Sequence, residues 1–97
     1  MTPCVYILFS PSKVGFYTGF TTDSLEKRLE KHNTGYYENA YTVNSGDWEV
    51  YLSISCSSEK QARSIELHIK RMKSRRYIQN LKKYPEMIEG LINKYVE

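Results

Sequence analysis

Apolar positions follow two different periods along this chain, and the places where the period changes outline its elements. Residues 4–9, CVYILF, form an unbroken apolar run closed by SPSKVG, as expected of a buried strand. GFYTGF at 15–20 reads as the returning strand of a hairpin. A four-residue loop at Pro11–Val14 sets Ser10 opposite Gly15 and Tyr17 opposite Leu8. Tyr6, two residues before Leu8, then shares the face of Tyr17, whereas a loop one residue longer or shorter would split the two tyrosines onto opposite faces. WEVYLSISC alternates, which predicts a half-buried strand with Trp48, Val50, Leu52, Ile54 and Cys56 on one side.

Between and after these strands the apolar period lengthens to that of a helix. Leu25 and Leu29 mark the packing stripe of SLEKRLEKHN, with Asp23 and Glu26 as its capped start and Asn33 and Gly35 as its close. Arg28 and His32 stand four residues apart, one above the other, and border that stripe. SEKQ at 58–61 has capping-box form, and Ala62, Ile65, Ile69 and Met72 recur at helical spacing with Glu66 at their edge. Pro85 suits the first turn of a last helix, about 85–96, that buries Met87, Ile88, Leu91, Ile92 and Tyr95. Residues 34–47 read as a loop carrying Tyr36, Tyr37 and Tyr41. The element order predicts an α+β fold. No internal repeat or linker interrupts it, so all 97 residues read as one domain.

Composition sharpens this picture in two places. Nine tyrosines are many for such a chain, and tyrosine offers both a stacking face and a hydroxyl to nucleic acid. The net charge is only +3, but KRMKSRRYIQNLKK at 70–83 holds Lys70, Arg71, Lys73, Arg75, Arg76, Lys82 and Lys83 with no acid among them. That segment is a candidate phosphate-binding surface; a solvated basic helix face is its plainer reading. Cys4 and Cys56 have no metal-ligand spacing and read as small buried hydrophobes. The longest apolar run is far too short to cross a membrane and nothing resembles a signal peptide, so a reduced, cytoplasmic setting is expected.

The ordered set Cys4-Val5-Tyr6, Tyr17-Thr18-Gly19, Arg28 with His32, and a helical Glu66 resembles the GIY-YIG nuclease family over about residues 4–82. Cys4 and Val5 stand where the first motif has Gly and Ile, and Thr18 replaces the central Ile of the second. The closest resemblance is to small, stand-alone bacterial members, and the domain is similar to the catalytic domain of the excision-repair incision subunit. The resemblance implies a three-stranded, mainly antiparallel sheet flanked by helices. It implies a metal-dependent endonuclease that hydrolyses DNA phosphodiester bonds with low sequence specificity, in repair or recombination. DNA is the expected partner ahead of RNA, with a protein partner also conceivable.

Role by role, the resemblance implies that Glu66 holds a single divalent ion, Mg²⁺ or Mn²⁺. Arg28 would bind the phosphate oxygens. Tyr6 would serve as general base and Tyr17 would orient water or phosphate, although the two could exchange roles. Some relatives carry a lysine just after the second motif; here Phe20 follows Gly19, and His32 fits as the substitute, relaying a proton or contacting substrate. Gly19 would permit close backbone approach. Lys70, Lys73, Arg75, Arg76 and Asn80 complete the expected substrate-binding set. Each residue alone has a plainer explanation: strand packing for the tyrosines, an i,i+4 pair with Lys70 for Glu66, a helix end for Asn80. The alternative function is a nucleic-acid-binding module without useful catalysis, acting with a partner.

Overall fold

The computed structural model describes residues 2–34 and 46–96. Gly35 and the three loop tyrosines at 36, 37 and 41 lie outside the described residues. The elements are β1 (Cys4–Ser10), β2 (Gly15–Thr21), α1 (Leu25–Asn33), β3 (Glu49–Ser55), α2 (Glu59–Met72), α3 (Arg75–Lys83) and α4 (Pro85–Lys94). The strands form one antiparallel sheet in the order β2-β1-β3, which with the four helices makes the expected α+β architecture.

β1 is the central strand, and Val5 through Leu8 are buried without a break. Its alternate residues feed two separate cores. Val5 and Ile7 join Ile54, Ala62, Ile65, Ile69, Leu81 and Leu91 beneath α2, α3 and α4. Tyr6 and Leu8 join Trp48 on the opposite face, against Tyr17, Leu25 and Leu29. The unbroken apolar run thus reflects a strand with helices on both sides. The hairpin has the predicted register, Ser10 opposite Gly15 and Leu8 opposite Tyr17. Its turn is clamped from far along the chain: the Asp47 carboxylate accepts from the Ser10 hydroxyl at 2.6 Å and from the Ser12 backbone N–H at 2.9 Å.

Three local expectations are corrected. Trp48 and Ile54 do not share a face, because Ile7 pairs with Leu52 whereas Leu8 pairs with Val50. The extra residue is a bulge, which turns the side chains before it to the other face. The cap of α1 is Ser24, whose hydroxyl accepts from the Lys27 N–H; Asp23 instead accepts from the Ser24 N–H. Met72 is exposed rather than packed, since α2 ends there and Lys73 turns into the left-handed conformation at φ 47°. His32 borders the leucine stripe and is itself buried, a burial made tolerable by a hydrogen bond to its ring. Elsewhere the expected caps hold: Ser58 caps α2 by accepting from Gln61 N–H, and Pro85 opens α4.

Candidate active site

The hairpin register decides the first contact. Tyr6 lies opposite Gly19 and Tyr17 opposite Leu8, so both phenols project from the same face of the sheet, with ring centroids 6.4 Å apart. The Tyr6 ring crosses directly over Gly19. A Cβ there would lie 2.6 Å from the Tyr6 oxygen and 2.7 Å from its Cζ, well inside van der Waals contact. The glycine is required by close approach, not by a left-handed backbone.

α1 brings the next two groups. Its Ser24 cap fixes the start, and the four-residue spacing sets Arg28 and His32 on the face toward the sheet. His32 Nε2 is 3.1 Å from the Tyr6 hydroxyl, and its ring centroid is 4.9 Å from that of Tyr17. Burial, reinforced by the Arg28 guanidinium, pushes the His32 pKa down to about 4. The imidazole is therefore neutral at neutral pH and meets the phenol with either a lone pair or an N–H. Arg28 itself reaches toward the Phe20 carbonyl, 3.5 Å from Nη2, at the end of β2.

α2 packs across β1 and β2 and supplies the acid. Glu66 is buried at the margin of the Ala62–Ile65–Ile69 stripe, and its carboxylate is 3.2 Å from Lys70 Nζ, one helical turn on. The same ammonium lies 5.7 Å from the centroid of Tyr17. Tyr6, Tyr17, Gly19, Arg28 and Glu66 all line one cavity of about 280 Å³, together with Phe20, Thr21, Thr22 and Asp23. His32 stands behind Tyr6 and reaches the cavity through its hydroxyl.

The donor set fits a hard divalent ion with few protein ligands. Among the described residues no group of three His, Cys, Asp or Glu side chains could hold a metal. A single carboxylate such as Glu66 suits Mg²⁺ or Mn²⁺, since Mg²⁺ keeps much of its water shell.

The expected substrate-binding residues divide. Lys70, Lys73 and Arg75 line a second cavity beside the first, whereas Arg76, exposed, and Asn80, half-buried, lie on α3 and line neither. Sequence reasoning missed the run that ends β2: Phe20, Thr21, Thr22 and Asp23 belong to the rim, and Asp23 was expected only to cap a helix. Their position directly after Tyr17-Thr18-Gly19 was the available signal.

The family model described as the GIY-YIG catalytic domain matches residues 2–82 of the 97. No curated protein gives a significant match, and no solved structure does.

Proposed function

Because the chain belongs to the GIY-YIG family of catalytic domains, a nuclease family, we propose that it is a metal-dependent endonuclease hydrolysing DNA phosphodiester bonds. The observation that carries this reading is the convergence of two phenols, a guanidinium and a carboxylate on one cavity. A scaffold protein has no need of that combination, whereas hydrolysis of a phosphodiester needs an oriented water, charge relief at phosphorus and a proton acceptor.

In the reaction the water oxygen bonds to phosphorus while the bond to the leaving sugar oxygen breaks. One proton leaves the water, and one reaches the leaving oxygen from solvent. With the His32 tautomer that presents a lone pair at Nε2, Tyr6 accepts the proton of the attacking water as its own passes to the imidazole, whose low pKa makes it release that proton again rather than hold it. His32 is buried behind that phenol, so the relay suits it better than contact with substrate. Tyr17, packed on the His32 ring, orients the water or the phosphate. Arg28 binds the non-bridging oxygens, where its fork of donors matches phosphate geometry. Mg²⁺ or Mn²⁺ held by Glu66 would supply Lewis-acid relief of the charge that grows on those oxygens.

So small a domain leaves little surface for reading base edges, so sequence preference is weak and branched, nicked or single-stranded DNA in repair or recombination is the proposed target. The test is nicking of plasmid and branched DNA with Mg²⁺ or Mn²⁺ by wild type, Glu66→Ala and Arg28→Ala. Activity in the wild type alone supports the enzyme. Salt-sensitive binding that ignores Glu66→Ala, without turnover under either metal, returns the function to a binding module.

A further inference from the structure

A second cavity, of about 260 Å³, lies across β2 from the first. β2 is an edge strand, and from Phe16 to Gly19 its residues serve the two hollows in turn. Tyr17 and Gly19 line the tyrosine cavity, Phe16 and Thr18 this one. The opposite wall is the elbow between α2 and α3. There Lys73 holds a left-handed backbone, an uncommon conformation for a residue with a Cβ, before the chain restarts as a helix at the Ser74 cap.

The charge in this hollow is of one sign. Among the described residues Lys70, Lys73 and Arg75 line it and no acid does, whereas the tyrosine cavity includes both Asp23 and Glu66. The remaining walls include Phe16, Ile69 and Ile78, apolar surfaces of the kind that concentrate the field of neighbouring cations. Arg75 donates one guanidinium N–H to the Val14 carbonyl, which ties the elbow to the hairpin turn and leaves further donors of the fork for a ligand. Lys70 belongs to both hollows: it lines this one and ion-pairs with Glu66 of the other.

We infer that the elbow cavity is a second phosphodiester subsite, holding a non-scissile phosphate of the nucleic-acid strand whose scissile phosphate occupies the tyrosine cavity. The identity of that strand as substrate rests on the nuclease reading, but the affinity of the elbow for phosphodiester does not. A strand crossing the ridge of β2 sets one phosphate on each side, with Lys70 between them, and the elbow thereby fixes which bond meets the phenols.

The test is anisotropy of a fluorescein-labelled twelve-nucleotide oligothymidylate binding the full chain in EDTA, read as affinity against salt. The salt slope falls by about two in Lys73→Gln/Arg75→Gln and by about one in Lys73→Gln alone. The single variant keeps the Arg75–Val14 tie, so its result does not depend on the elbow's anchoring. Lys60→Gln, on the first turn of α2 and lining neither cavity, leaves the slope unchanged. Equal slopes in wild type and Lys73→Gln, or equal losses in Lys73→Gln and Lys60→Gln, overturn the subsite and leave the nuclease reading standing. Absence of cleavage by the wild type sinks the nuclease reading and leaves this binding result decided, because no metal or turnover enters it.

Discussion

The hydroxyl of Tyr6 and the Cα of Gly19 are so close that a methyl group on the glycine would lie 2.6 Å from the phenol oxygen. The ring is held by the buried core around Leu8 and Trp48 and has little room to give way. Gly19→Ala therefore displaces the phenol from His32 or separates the two strands. The expected cost is about 1–3 kcal/mol of stability, as for other overpacked cores. A fall in the urea midpoint together with loss of nicking checks it; a variant with wild-type stability and rate would show the contact to be unimportant.

The Tyr6–His32 bond gives a second prediction. Tyr6→Phe keeps the ring and removes the oxygen that meets Nε2. Proton transfer by a positioned group contributes about 10²–10⁴-fold to rate, so single-turnover cleavage falls by at least about a hundredfold. The stability change stays within about 0.5–1.5 kcal/mol, the usual net worth of one hydrogen bond. A Tyr6→Phe chain that cleaves at the wild-type rate would assign the base elsewhere.

His32 also sets a pH dependence. Its folded pKa is near 4 against 6.5 for the free side chain, so the unfolded chain takes up the proton first as pH falls. The contribution to stability is whole above pH 6.5 and is lost between 6.5 and 4, by up to about 3 kcal/mol. His68, hydrogen-bonded to the Tyr95 hydroxyl, is shifted the same way by burial and by Lys94 and Arg71, and adds to the slope. Urea midpoints from pH 7.5 to 4.5 therefore decline in the wild type. His32→Gln, which stays neutral, has the shallower decline; parallel curves would mean that the imidazole is not held neutral.

On the proposed reading, Lys70 and the divalent ion compete for one carboxylate. The ammonium is 3.2 Å from Glu66, and like charges disfavour a cation beside it. Lys70→Met should tighten Mn²⁺ binding several-fold in the absence of nucleic acid, in line with an ion-pair worth of about 1 kcal/mol at a partly exposed site. Electron paramagnetic resonance of free Mn²⁺ reads this directly, and unchanged affinity would place the ion away from Glu66.

Much of this arrangement was legible in the sequence because it depends on local rules. A four-residue loop at Pro11–Val14 implies the register that puts Tyr6 and Tyr17 on one face, and the hairpin has that loop; the four-residue spacing sets Arg28 above His32. What escaped depended on distant contacts. No local signal marks the bulge opposite Ile7 and Leu8 that sends Trp48 to the tyrosine side. Asp47 clamps a turn more than thirty residues earlier, and the Asn33 side chain bonds both backbone groups of Trp48. The depth of His32 follows from its buried partner, which periodicity cannot supply. Asp23 and Ser24 are equally good caps by composition, and only backbone geometry chose between them.

The central claim is that Glu66, Arg28 and the two phenols act on one phosphate and one ion. Anomalous diffraction from a crystal soaked with Mn²⁺ and thymidine 5′-monophosphate tests it most directly. The expected result is one Mn²⁺ peak at about 2.0–2.3 Å from a Glu66 oxygen, with the phosphate between Arg28 and the Tyr6 and Tyr17 hydroxyls. A Mn²⁺ peak remote from Glu66, or a phosphate bound outside that cavity, would contradict it.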